Sequence, residues 1–185
     1  LELIGGTTDG EVSSVLGFQQ DSLTLILFCS DDIEIRAAVG RNISQNPTAI
    51  AQQTVETLKD TLRTDLRLCI TTPESLTTSA SSILEGLRLG LGTVPVLGGT
   101  TGDQTKIQRT YQFFKTEVLS DSVPILLWGG NLLFSHGVAS GWRPIGKRSI
   151  VTKVHKNIIY EIDEKPALEF YRYYFDDFAP DVAYP

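Results

Sequence analysis

Two turns of matching composition carry the densest concentration of chemistry in this sequence. Gly5-Gly6-Thr7-Thr8-Asp9-Gly10 and Gly98-Gly99-Thr100-Thr101-Gly102-Asp103 each follow a short apolar run. Glycine lets the backbone approach a bound group closely, and paired hydroxyls beside free amides can hold a carboxylate or phosphate. Thr7, Thr8, Gly99, Thr100 and Thr101 are therefore candidate ligand-binding residues. The same residues also read as tight strand exits whose threonines satisfy their own turns. A third candidate is His136, in phase with Leu132, Phe134 and Val138. That phase puts it on the apolar side of a strand, where a polar ring needs a partner or a cavity. His155 shares a side with Lys153 and is expected in solvent. In Gly141-Trp142-Arg143-Pro144-Ile145-Gly146, Trp142 and Arg143 place a large aromatic beside a permanent cation, in a loop able to close over an anion. The structural reading of the same loop is a corner, with Trp142 packed on the core and Arg143 stacked or capping a helix.

Several chemistries lack their signatures. There is no Gly-x-x-x-x-Gly-Lys-Ser/Thr, and the glycine clusters lack the setting of a dinucleotide fingerprint. Two distant histidines without paired acids at ligand spacing predict no metal site. No nucleophile elbow anchors a triad. No catalytic residue, cofactor or metal is expected, and the chain is read as a non-enzyme. Cys29 and Cys69 both sit in apolar, strand-like runs and read as small buried hydrophobes. Sixteen Lys+Arg against 22 Asp+Glu give a net charge of −6 with no basic cluster, so neither nucleic acid nor a membrane surface is an expected partner. The longest apolar runs are strand-sized, far short of the roughly 20 residues of a membrane helix. A reducing cytoplasm is the expected compartment.

Elements must position these groups, and three helices are predicted. Asn46 caps a helix that starts at Pro47 and runs to about Arg63, with Ala51, Val55, Leu58 and Leu62 on one face. A second spans about Ser79 to Leu91, closed by Gly90 and Gly92. A third begins at Pro166 and carries Leu168, Tyr171 and Phe175. Strands are predicted at Leu1–Ile4, Leu23–Cys29, Ile33–Val39, Leu66–Ile70, Pro95–Leu97, Tyr111–Glu117, Val123–Trp128, Leu132–Ala139, Ile150–His155 and Ile158–Ile162. Gly129-Gly130-Asn131 predicts a hairpin joining the strands on either side, and Lys156–Asn157 another. The fold class is α/β, with mixed sheet layers and packed helices.

The two Gly-Gly-Thr-Thr turns belong to a longer echo. Asp21-Ser22 opens Leu23–Cys29, and Asp121-Ser122 opens Val123–Trp128. A Pro-initiated helix closes each copy. The domain is read as two duplicated halves, roughly 1–63 and 66–178. A strand and helix precede the second turn, so an equivalent pair is expected ahead of Leu1. Residue 1 is leucine and no methionine occurs, which fits a natural start further upstream.

The C-terminal third also resembles a known family. Gly141-Trp142-Arg143-Pro144-Ile145-Gly146, Val151-Thr152-Lys153, Asn157, Tyr160-Glu161-Ile162-Asp163 and Pro166-Ala167-Leu168 with Tyr171 look like the signature end of the FIST N-terminal domain. Gly5 to Glu11 and Val94-Pro95-Val96-Leu97-Gly98-Gly99 are similar to its two Gly-rich strand exits. The resemblance implies a sensory input domain over 1–178 that binds a small ligand, an amino acid or small carboxylate, and signals to an output protein or domain. It further implies that 179–185 lead into a C-terminal half. Two alternatives remain: a hydrolase or transferase using the hydroxyl-rich turns, and an interaction scaffold or homodimer built on the aromatic residues Phe170 to Phe178.

Overall fold

Hydrophobic periodicity places the helices where the sequence predicts them. The computed structural model describes residues 1–144, 146–155 and 158–175. Ile145, the Lys156–Asn157 turn, the end of the aromatic group from Asp176 and the tail 179–185 lie outside the described residues. The chain divides into two units, Leu1–Phe134 and Ser135–Pro185.

The first unit contains β1 (Ile4–Gly6), β2 (Glu11–Ser13), β3 (Gly17–Gln19), β4 (Ile33–Arg41), α1 (Pro47–Lys59), β5 (Leu66–Thr71), α2 (Ala80–Leu91), β6 (Val96–Gly98), β7 (Gln112–Phe114), β8 (Glu117–Leu119) and β9 (Ser122–Gly130). Its main sheet has the order β4-β9-β5-β6, with β5 and β6 parallel and the other pairs antiparallel. Strand β9 is flanked on both edges and almost wholly buried, as its continuous apolar run requires. Val123, Ile125 and Leu127 face Ala51, Val55 and Leu58 of α1 and Ile83, Leu87 and Leu91 of α2, forming the core. Asn46 caps α1 by accepting from the Ala49 N–H at 3.2 Å, with Pro47 at the first helical position. The first Gly-Gly-Thr-Thr segment begins in β1 of a smaller sheet, β1-β7-β8, and leads to the β2–β3 hairpin, whereas the second leaves the main sheet at the end of β6.

Two predicted strands do not form. Leu132–Ala139 adopts no strand because β9 already has β4 on one edge and β5 on the other, leaving no ladder for a hairpin partner. Gly130, at φ 93, ends β9 instead of reversing it, and Asn131 donates to the Asp32 carbonyl. Leu23–Cys29 is also irregular and joins no ladder, while β4 takes its nine pairings from β9, from Ile33↔Gly130 to Arg41↔Ser122. Leu23 to Phe28 are exposed, with the Phe28 ring resting edge-on against the buried Trp128 at 4.6 Å. Cys29 is consequently exposed, not buried as expected; Cys69 is buried. Tyr111–Glu117, read as one strand, is a hairpin: Lys115 turns at φ 54 between β7 and β8. The β2–β3 hairpin was not expected.

The second unit contains β10 (Val151–His155), β11 (Ile158–Ile162), β12 (Lys165–Pro166) and α3 (Ala167–Phe175). Strands β10 and β11 pair antiparallel as the sequence predicts, and Asp163 and Glu164, both at positive φ, turn β11 into β12. The molecule is thus mixed α/β. Among the described residues, no helix is long and apolar enough to cross a membrane.

Candidate functional site

The two Gly-Gly-Thr-Thr turns lie against each other. The Gly102 N–H donates to the Thr7 carbonyl at 2.8 Å, and the Gln104 N–H donates to the Asp9 carboxylate at 2.8 Å. Gly6 must be glycine for this approach, since a Cβ there would overlap the Thr101 methyl. Thr7 is fixed to Tyr111 from both sides: its N–H donates to the Tyr111 carbonyl and its hydroxyl accepts the Tyr111 N–H at 3.0 Å.

A cleft of about 460 Å³ opens beside the joined turns. Thr7, Thr8, Glu11 and Ser22 line it from the first turn and its hairpin, and Asp103, Gln104, Lys106 and Arg109 from the segment after the second turn. Gln104, Thr105 and Ile107 all occupy left-handed backbone conformations, which β-branched residues rarely adopt. The Asp103 carboxylate holds that segment by accepting the N–H groups of Gln108 at 2.7 Å, Ile107 at 3.0 Å and Arg109 at 3.1 Å. These bonds, the one from Gln108 above all, hold its carboxyl below the ordinary aspartate range. The Arg109 guanidinium lies 5.3 Å from the Tyr111 ring centroid and donates to the Ser120 hydroxyl. The Ser22 and Thr8 hydroxyls, donating to Glu11, hold its carboxyl below the usual glutamate range.

A second cleft of about 300 Å³ is lined by Thr100, Thr101, Asp103 and Ser75. Behind Thr101 lies a fully buried polar knot centred on Glu74, which is 1% exposed. One Glu74 oxygen accepts from the Leu76 and Ser75 N–H groups and the Thr110 hydroxyl; the other accepts from the Gln112 amide and the Asp121 N–H. Burial alone would raise the Glu74 pKa, but the Leu76 N–H, the Thr110 hydroxyl and the Ser75 and Asp121 N–H groups together hold it below the ordinary value. The knot locks the second turn, because Thr101 is also tied to the Pro73 carbonyl and accepts from Gln112.

Thr7 and Thr8 therefore line the larger cleft, and Thr100 and Thr101 the smaller. Gly99 is exposed with open space around its Cα and lines neither. His136, Trp142 and Arg143 fall in the second unit, all exposed, and line neither cleft. The expectation that His136 faces an apolar interior fails with the strand that was to carry it. Among the described residues, no group of three or more His, Cys, Asp or Glu is placed to hold a metal. Sequence reasoning missed Glu11, Ser22, Glu74, Lys106 and Arg109. The repeated Asp-Ser pairs at 21–22 and 121–122 were a signal for the serine, but they read only as strand openings.

Known proteins bear on this chain in two ways. An uncharacterized protein of Methanocaldococcus jannaschii, MJ1623, is 34% identical over 79 residues, which cover 43% of this chain and 15% of that relative. The matched segment is thus a small part of a much longer protein. No solved structure matches the chain. The FIST N domain matches residues 1–165, which takes in both Gly-Gly-Thr-Thr turns, both clefts and the Gly-Trp-Arg loop. On that match the chain belongs to the FIST N domain family, a domain associated with signal transduction.

Proposed function

We propose that this chain is the sensing part of a signal-transduction protein and binds a small polar ligand, an amino acid or small carboxylate, in the cleft beside the joined turns. The observation that carries the reading is the meeting of the two Gly-Gly-Thr-Thr segments through the bonds of Gly102 to Thr7 and Gln104 to Asp9. Segments far apart in sequence, with hydroxyls and close-packed glycine backbone, converge on one concave surface, and Lys106 and Arg109 give it cations for an anionic group. The proposed duplication supports it, since a duplicated fold commonly binds its ligand where the copies meet. Asp21 and Asp121 both turn at left-handed φ, 55 and 50, just before the equivalent Ser22 and Ser122. A signalling output protein or domain is the proposed partner, and cytoplasmic location is part of the same reading.

Thermal unfolding against a panel of amino acids and small carboxylates tests it. A ligand at 100 times its Kd adds about 2.7 kcal/mol to the folded state. That corresponds to a rise of roughly 5–10 °C in Tm for a chain of this size. The expected result is a concentration-dependent rise with at least one compound that is lost in Lys106→Ala and Thr8→Ala. A rise untouched by both substitutions refutes this site, and no rise with any compound refutes the sensor.

A further inference from the structure

Strand β7 and the residues leading into it divide their side chains between two chemically different surroundings. Thr110 and Gln112, 1% and 0% exposed, bond Glu74 within the buried knot. Side chains alternate along an extended backbone, so Arg109, Tyr111 and Phe113 project the other way. All three line the larger cleft. That wall is a cation followed by two aromatic rings. The Arg109 guanidinium lies 5.3 Å from the Tyr111 ring centroid. Tyr111 is exposed and Phe113 half-buried. Phe113 pairs with Gly5 of β1, where a Cβ would meet the ring at 3.3 Å, so the ring lies against bare backbone. Leu23, which is exposed, lines the same cleft and adds to its apolar surface.

The charged groups of the cleft separate in a corresponding way. Its three carboxylates are each answered by donors of the protein: Glu11 by the Ser22 and Thr8 hydroxyls, Asp103 by three backbone N–H groups, and Asp21 by the Gln104 amide. None of these donors is the ammonium of Lys106 or the guanidinium of Arg109. The Arg109 guanidinium gives one bond to the Ser120 hydroxyl and has further N–H groups for an anion. Cations therefore stand at one end of a wall that continues as aromatic surface. A wholly hydrophilic ligand meets the cations and leaves the rings in water. A ligand with an apolar part covers them and gains from both.

We propose that the ligand is an amphiphilic carboxylate, its anionic end held by Lys106 and Arg109 and its aliphatic or aromatic side chain lying along Tyr111 and Phe113. The inference rests on the reading of this cleft as the ligand site and narrows its ligand class. Tyr111 and Phe113 become specificity-determining residues for the side chain, whereas Lys106 serves every member of the class alike.

Two series of constant head group test it by thermal unfolding of the whole chain: acetate, butyrate, hexanoate and phenylacetate, and glycine, L-leucine and L-phenylalanine. Each buried methylene is worth roughly fourfold in affinity. In an open cleft that covers the chain partly, the largest members are expected to bind at least about tenfold more tightly than the smallest. Phe113→Ala is expected to flatten that gradient and leave the smallest members unchanged, and Lys106→Ala to weaken all members together. Phenylacetamide, which keeps the ring and lacks the charge, is expected to bind at least about tenfold more weakly than phenylacetate, the lower end of what a bond to a charged group contributes. If Phe113→Ala fails to fold, Tyr111→Ala at its exposed position carries the same comparison. Equal affinity along both series overturns the inference and leaves a cleft for small carboxylates standing. A gradient that survives both aromatic substitutions, or an amide that binds as well as its acid, overturns it too. No binding by any member of either series removes this inference and the ligand reading beneath it.

Discussion

Glu74→Gln is the substitution that most directly tests how the second turn is held. The carboxylate is 1% exposed and takes five donors: the Leu76 N–H at 2.7 Å, the Ser75 N–H and Thr110 hydroxyl at 2.9 Å, and the Gln112 amide and Asp121 N–H at 3.2 Å. An amide of the same shape keeps one acceptor oxygen and sets an NH2 group against the other donors. If the oxygen stays with Leu76, Ser75 and Thr110, the Gln112 amide and the Asp121 N–H lose their partner. At about 1.5–3 kcal/mol for each bond to a charged group, less some relaxation, the cost is about 3–5 kcal/mol. A domain has only about 5–15 kcal/mol in total, so the loss is large. Calorimetry at neutral pH should show Tm lowered by at least about 6 °C, at roughly 2–4 °C per kcal/mol. The pH dependence supplies a second check. The folded-state pKa of Glu74 lies below its ordinary 4.5, so its contribution is complete above that pH and is lost as pH falls through the folded value. The gap between the native chain and Glu74→Gln should narrow below pH 4.5. A variant within about 1 kcal/mol of the native chain at neutral pH would refute the argument that this carboxylate organises the turn, as would a gap that ignores pH.

The two cysteines should separate cleanly under native conditions. Burial pushes the Cys69 thiol up to about 12, while Cys29 is exposed, so an alkylating reagent should label Cys29 alone until the chain unfolds. Rapid labelling of both would mean that the core between β5 and the helices opens readily. Two adjacent glycines offer a matched comparison read by thermal unfolding. Gly98 has φ 139 and a Cβ there would overlap the Thr71 carbonyl, so Gly98→Ala should cost about 2–3 kcal/mol. Gly99 has open space, so Gly99→Ala should stay within about 0.5 kcal/mol. Equal effects at the two positions would contradict the close passage of β6 over Thr71.

What the sequence made legible follows from the range of the forces involved. The bounds of α1 are local matters: Asn46 and Pro47 start it, and the apolar stripe Ala51, Val55, Leu58 fixes which face is buried. The β10–β11 hairpin likewise follows from runs lying close together in sequence. Leu23–Cys29 and Leu132–Ala139 have the same composition as true strands, and composition cannot say which runs compete for an edge. Strand β9 accepted β4 and β5, and both of its edges were then closed. One non-local choice removed the strand meant to bury His136.

The site was half legible for a related reason. Threonines in a repeated Gly-Gly-Thr-Thr pattern announce themselves, and they do line the two clefts. Glu74 and Gln112 do not, because a glutamate after Thr-Thr-Pro and a glutamine in a short hairpin are unremarkable until the fold buries them together. Their importance is a property of the pair, and pairs at long separation leave no local trace.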